Sequence, residues 1–532
     1  MRLDRRIIGS IAVLLTIGVS VVCMNYHSRL HTEPGDNFYI EPLTPAPPSE
    51  TPLKGIRDDF TLDASFTSHL PIIVINTNNE RPPITTQLLE EERRYVVLEG
   101  VEPYVQGSIA IIDNQNGINS LGDAATSTHR IRLKRRGNSS MGYDKAQYLL
   151  KLVTESQQEA LAPLLGMGEE SEWVLNGNMA DKTMVRNFVS YRIISDIIPF
   201  TPDTKFCEVV YYENGQYVYE GVYLLMENVK QGEHRVNIPD YKPNDTFPSY
   251  IVRRDRFDET AVTLNTYGTK NKLCAGYLEI YYPGAKFITD ELISYIENDI
   301  SKIEKVLYSD SFSEFSTYPR YIDVASFIDY FLINEFFGNY DAGAYSTYMY
   351  KTGPGKLKIG PVWDYDNAYD NARAEALNTE VTALQIKPWF DRLTKDSRFM
   401  TQLEKRYSEL RAGPLSDENV ITTINQALEH LGPALDREWT RWGKIYGENN
   451  KWSLQSFIDA DGYVINRNTN ELRQELYRLN TSIVKHGQAI GPRLNLLQSS
   501  TETTTGLFSR MDIVFFAALL LFALPCLFVA RK

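Results

Sequence analysis

The stretch DYFLINEFFGNYDAGAYSTYMYKTGPGKLKIGPVWDYDNAYDN, Asp329 to Asn371, decides the fold. Phe327, Tyr330, Phe331, Asn334 and Phe337 recur at helical spacing, so this segment reads as a helix that stops at Gly338. Asp341 follows. AYSTYMYKT then reads as a strand, Gly353-Pro354-Gly355 as a turn, and KLKIGPVW as the returning strand that ends at Asp364. The order is helix, Asp341, hairpin, Asp364.

Asp364, Asp366 and Asp370 crowd an aromatic run, with Asp341 a little upstream. Two carboxylates about 4 Å apart repel by roughly 4 kcal/mol at an effective dielectric near 20. Converging ones therefore imply a cation, a shared proton or a solvated separation. A carboxylate after a helix, a hairpin and a second carboxylate is also the layout by which protein kinases bring a substrate-facing Asp and a magnesium-binding Asp into one cleft. Against this stands the ordinary use of Asp at strand ends as a turn former or cap. Trp363 and Tyr365 pack either a nucleotide base or the core. Asp366 stays open as a metal ligand, and Asp370 reads as surface.

Outward from this stretch, the 532 residues carry 55 Lys and Arg against 68 Asp and Glu, a net charge of −13. That balance argues against a nucleic-acid backbone as the main partner. Of four cysteines, Cys23 and Cys526 lie in apolar runs, which leaves no zinc ligand set and no disulfide framework. Cys207 and Cys274 read as free core thiols, or as a pair in an oxidising compartment.

The two ends are apolar. Ile7 to Met24 carries no charge and, as a helix, spans about 27 Å, close to a bilayer's hydrocarbon thickness. Ile513 to Ala530 is a second such run. Arg2, Arg5 and Arg6 flank the first and Arg531 and Lys532 the second, so the positive-inside rule puts both termini in the cytoplasm and the bulk outside the cell membrane. The expected divisions are an anchor or signal (1–28), a proline-rich linker (29–66) containing EPLTPAPPSETP, a sheet-rich part (67–270), a helical part (271–497), a Ser/Thr-rich linker (498–510) and a membrane helix (511–530).

In the sheet-rich part, LPIIVINT reads as a buried strand, and RIRLKRRG alternates Ile131 and Leu133 with Arg132 and Lys134. QYLLKLV follows, and EVVYYENGQYVYEGVYLLME is a hairpin turning at Asn214-Gly215. DKTMVRNFVSYRI, with Asp181 as N-cap, places one helix across a mainly antiparallel sheet. Arg136 in RRGNSS and Lys151 in QYLLKLV are phosphate-binding candidates; a polar turn and a solvent-facing strand residue are the plain alternatives. Glu227 and Arg186 read as orienting partners or ordinary ion pairs.

KRRGNSS followed by YLLKL, then WVLNGNMADKTMVRNFVSY, EGVYLLMENVKQGEHRVNI, DYFLINEFFGNYDAGAYSTYMYK, GKLKIGPVWDYDNAY and KPWFDRLTKDSRF occur in the order seen in the spore-coat-type CotH kinase family, which this chain resembles from about Leu70 to Gly443. The resemblance implies an α+β fold with a kinase-like arrangement of two lobes. It implies ATP as co-substrate with Mg2+ or Mn2+, and phosphorylation of Ser or Thr on a secreted or surface protein. It matches Asp341 to the catalytic-loop aspartate and Asp364 to the metal-binding aspartate, with Asp366 beside it and Arg136, Lys151 and Trp363 toward the nucleotide. Five residues after Asp341 stands Ser346, where relatives often have Asn as a metal ligand. A hydroxyl is the poorer ligand, and Asn339 or Asp366 is placed to compensate. Beside a membrane-tethered kinase, the sequence admits a catalytically weak surface interaction or adhesion protein, and a metal-dependent hydrolase or carbohydrate-binding protein suggested by its 33 tyrosines.

Overall fold

Apolar side chains fall at every second position along the strands of the first half, and in the computed structural model those strands close on themselves. The structure describes residues 42–89, 94–114, 117–137, 139–256, 260–274, 276–371, 382–448, 457–458, 464–465 and 471–500. Strands β1 (Ile72–Asn76), β2 (Val105–Ile112), β3 (Ser127–Arg135), β4 (Tyr148–Val153), β5 (Glu172–Asn176), β6 (Thr204–Glu213) and β7 (Gln216–Glu227) form a ring in the order β7-β5-β4-β3-β2-β1-β6, and β6 pairs back onto β7. Every contact in the ring is antiparallel except that of β1 with β6, where Ile72 stands opposite Glu208 in parallel register. Ile73, Ile75, Ile131, Leu133, Leu150 and Trp173 meet in the core that fills this barrel. Burying each such side chain contributes about 1.5–3 kcal/mol.

The barrel corrects the expected fold. A kinase-like two-lobed arrangement calls for an open sheet in the first lobe, and here the ring of seven strands has closed. Closure depends on the parallel pairing of β1 with β6, which strand periodicity does not reveal. The expected flanking membrane helices are not seen either: among the described residues no helix is long and apolar enough to cross a membrane. The apolar runs 7–24 and 513–530 lie outside the described residues.

The second half builds a four-stranded antiparallel sheet, β9-β8-β10-β11, from β8 (Tyr250–Asp255), β9 (Tyr277–Tyr282), β10 (Thr347–Lys351) and β11 (Lys358–Ile359). The main helices of the chain are α1 (Arg186–Ile194), α2 (Asp290–Leu307), α3 (Val324–Phe337), α4 (Ser397–Arg411), α5 (Asp417–Leu431), α6 (Pro433–Glu448) and α7 (Leu472–Ser500). Side chains of Thr289, Asp323, Asp396 and Ser416 cap α2, α3, α4 and α5 by accepting from backbone N–H groups. Asp181 acts from further back than expected: α1 begins at Arg186, whose N–H donates to Asp181 Oδ2 at 2.8 Å. Cys207 and Cys274 are free thiols.

Helix α6 fastens the barrel to the helical part. Glu438 accepts from Lys145 Nζ (2.6 Å) and Val222 N (2.8 Å), Arg437 pairs with Glu208, and Trp442 Nε1 donates to the Glu220 carbonyl. The helix comes so close that a Cβ on Gly221, whose φ is +108°, would stand 2.3 Å from Glu438 Oε2. Only glycine fits there. From Pro42 onward the proline-rich tract lies against the same region. Ala46 N donates to the Glu429 carbonyl, and the Glu50 carboxylate bridges His69 and Arg437.

Candidate active site

Helix α3 ends where Gly338 adopts the left-handed conformation (φ 66°) and its N–H closes on Asn334 and Glu335 carbonyls. The chain then turns through Asn339 to Asp341, whose carbonyl accepts from Ala344 N and Tyr345 N. The Asp341 side chain is 19% exposed, with Arg256 Nη2 3.5 Å away, and that guanidinium lies 4.1 Å from the centre of the Tyr345 ring. Ser346 enters β10 with a positive φ of 49°. The hairpin of β10 and β11 returns the chain to Trp363 and Asp364, which is itself left-handed at φ 68°. For a residue with a Cβ this conformation is costly and persists only where the surroundings impose it.

Those surroundings are specific. Asp364 N donates to the Tyr191 hydroxyl (3.0 Å) and Tyr365 N to Asn187 Oδ1 (2.7 Å), both on α1. The Asp364 carbonyl accepts from Asn339 Nδ2 at 3.1 Å, and the Tyr365 hydroxyl donates to Asn334 Oδ1 on α3 at 2.8 Å. The site segment is thus gripped by α1 on one side and by the end of α3 on the other.

The carboxyl groups of Asp364 and Asp366 are close enough for each to perturb the other's titration. Burial pushes both up from the usual carboxylate range, Asp366 far up, and the Asp341 charge adds to each. A pair in this state is short of positive charge. Asn339 offers an oxygen as well: its Oδ1 is buried with no hydrogen-bond partner, on an amide whose other end is tied to Asp364. Among the described residues no three His, Cys, Asp or Glu side chains gather into a metal cage. An all-oxygen set of two carboxylates and an amide fits a hard cation such as Mg2+ or Mn2+, which keeps part of its shell for water and phosphate oxygens.

The structure brings Arg136 to this cluster and leaves Lys151 away from it. The Arg136 guanidinium lies 5.4 Å from the centre of the Trp363 ring, and its charge favours the ionised form of Asp364. Trp363 is buried at 7% exposure against Tyr191 and Tyr348. Lys151 faces outward from β4 and pairs with Glu172 at 2.6 Å, so its charge is already matched. Arg186 pairs with Asp181, and Glu227 with Arg235. Asp370 corrects the surface reading: it is 1% exposed, with Arg478 of α7 3.6 Å from its carboxylate. The buried lysine of the barrel is Lys145, fully enclosed between Glu438 and the Val222 carbonyl. Its sequence context, YDKAQ, resembles any exposed turn and gave no signal.

A family model described as CotH kinase protein matches residues 133–476. The chain belongs to the CotH family. Asp341, Ser346, Trp363, Asp364, Asp366, Arg136 and Lys151 all fall within the CotH match, whereas β1, β2 and nearly all of α7 lie outside it. CotH membership assigns the chain to kinase chemistry in general, with ATP and a divalent metal as the general requirements of that chemistry. None of the curated proteins matches the chain.

Proposed function

We propose that this protein transfers the terminal phosphoryl group of ATP to a Ser or Thr hydroxyl of a protein. The observation that carries the reading is the convergence of Asp341, Asp364 and Asp366, whose carboxyl groups act on one another, beside the buried Asn339 oxygen that has no hydrogen-bond partner. Asp341, partly exposed and outside the pair, is the carboxylate that orients the acceptor hydroxyl and takes up its proton. Asp364, Asp366 and Asn339 hold Mg2+ or Mn2+, and Arg136 beside Trp363 meets the nucleotide phosphates. When bound, the cation neutralises charge on the phosphates as transfer proceeds. Tyr191 and Asn187 hold the backbone of Asp364 and Tyr365 in the left-handed turn that presents the Asp364 carboxylate.

Incubating the full chain with labelled ATP and Mn2+, with and without a Ser-rich acceptor protein, tests the assignment. Phosphate transfer that is lost in both Asp341→Asn and Asp364→Asn supports it; transfer that persists in both variants overturns it. Ser346 in place of an amide favours a second reading, nucleotide binding with little turnover. ATP at 100 times its dissociation constant then still raises stability by about 2.7 kcal/mol, without phosphate transfer.

The acceptor is a secreted or surface protein in this proposal, and the enzyme acts at the outer face of the cell membrane. Support comes from the apolar runs 7–24 and 513–530 with their basic flanks. Protease added to intact cells cuts between residues 42 and 500 if this placement holds, and full protection of that region overturns it.

A further inference from the structure

Helix α7 buries polar side chains. Glu475, Arg478, Ser482, His486 and Arg493 are each at most 5% exposed, and their spacing places them along one side of the helix. Polar groups so placed destabilise a fold unless they find partners. Here the partners are the backbone on either side of the candidate active site. Arg478 Nη1 donates to the Asp370 carbonyl (2.5 Å), and its Nη2 donates to both Asn371 Oδ1 (3.2 Å) and Glu475 Oε2 (2.6 Å). The Ser482 hydroxyl donates to the Tyr369 carbonyl at 3.0 Å. Asn371 in turn donates to the Asp366 carbonyl at 2.6 Å. At the far end of the segment, the Glu335 carboxylate accepts from Ala383 N and Leu384 N, and the Glu335 carbonyl meets His486 Nε2.

Tyr369 and Asp370 are consecutive left-handed residues, φ 54° and 64°, that follow left-handed Asp364. Three such residues in one short segment need a scaffold to hold them. Just downstream of Asp366, α7 supplies three hydrogen bonds, from Arg478 to the Asp370 carbonyl and Asn371 Oδ1 and from Ser482 to the Tyr369 carbonyl, beside the contacts that Arg186, Phe337 and Ala180 make with residues 368–371. Arg478 and Ser482 stand beyond residue 476, where the CotH match ends.

We propose that α7 is a brace for the active site and that Arg478 is its positioning residue, holding Asp366, through Asn371, in register with Asp364. The proposal rests on the phosphoryl-transfer reading for the use of the site, but not for the brace itself. Arg478 is buried, and its hydrogen bonds go to Asp370, Asn371 and Glu475; in this proposal it fixes the backbone that presents the carboxylates.

The test uses the full chain and two readouts, Mn2+ affinity and hydrogen exchange of residues 364–371. In Arg478→Ala, Mn2+ binding weakens by about 10- to 100-fold, as on loss of a group that orients metal ligands. Exchange quickens over 364–371 while strands β6 and β7 keep their protection, and added ethylguanidinium restores both readouts. Ser482→Ala, which removes one hydroxyl, moves them in the same direction to a smaller extent, and it decides the matter if Arg478→Ala does not fold. Unchanged exchange over 364–371 in both variants overturns the proposal, as does a loss of protection spread evenly over the barrel. Should the wild-type chain bind no Mn2+, the phosphoryl-transfer reading fails, and the exchange readout still judges the brace.

Discussion

Asn339 is tied to the site by one end of its amide and open at the other. Removing the side chain in Asn339→Ala deletes one hydrogen bond, worth about 1 kcal/mol, and one oxygen donor. Mn2+ binding, followed by calorimetry, therefore weakens far more than the small drop in melting temperature suggests; a change in melting temperature with no change in affinity would mean that Asn339 is structural. Glu335 offers a pH signature. Burial raises its folded-state value from 4.5 to about 7, so between these limits the folded protein holds more protons than the unfolded chain, and stability falls as pH rises. His486, whose imidazole burial lowers to about 4, works the other way, adding stability as pH rises from 4 toward 6.5. Glu335→Gln removes the first contribution alone, so its unfolding midpoint in urea rises more steeply between pH 5 and 7 than that of the wild type. At this scale the positions of Asp341 and Asp364, one after a helix stop and the other past a hairpin, are legible in the sequence. Lys145 and Asp370 are not, since their burial depends on α6 and α7, which approach from distant parts of the chain.

Among the elements, α6 carries the strongest coupling between barrel and helices. Glu438→Ala leaves the Lys145 ammonium enclosed with no carboxylate, a situation that costs about 3–5 kcal/mol. Denaturant unfolding measures this, and the double change Lys145→Met with Glu438→Leu recovers most of it, because a matched apolar pair leaves no stranded charge. Equal losses in the single and double variants would show that packing rather than charge holds the seam. The elements themselves differ in legibility. The hairpin of β6 and β7 announces itself through Asn214 and Gly215, whose φ values of 51° and 78° suit the tight turn they were read as forming. Helix α3 ends at the expected glycine stop, but it is buried on every side from Ala325 to Phe337 instead of along the single face that its aromatic spacing suggested. Helix α7 hides its role, because Arg478, Ser482 and His486 look like a solvated face until the backbone they serve is in view.

At the scale of the whole molecule, the barrel has its own apolar core, yet the seam at α6 ties it to the larger core of the helices. Far-UV ellipticity of the helices and hydrogen-exchange protection of β1 to β7 are accordingly lost at the same denaturant concentration; separate midpoints would show two independently stable units. Individual strands and helices are visible from their apolar periods, but the closed ring is not. Each strand is specified by its own alternation, whereas ring closure belongs to a pairing between strands that the alternation leaves undetermined.

That closing pair has a kinetic consequence. β1 and β6 lie side by side in parallel, with the four intervening barrel strands and α1 threaded between them in the chain. The loop-closure entropy for Ile72 to meet Glu208 must be met before the contact returns any stabilisation. Local pairs such as β6 with β7 form first, and the nascent chain cannot complete the barrel until β6 and β7 have been synthesised. Until then β1 offers an unpaired edge to any neighbouring chain, which makes the interval before closure the time of greatest exposure to aggregation.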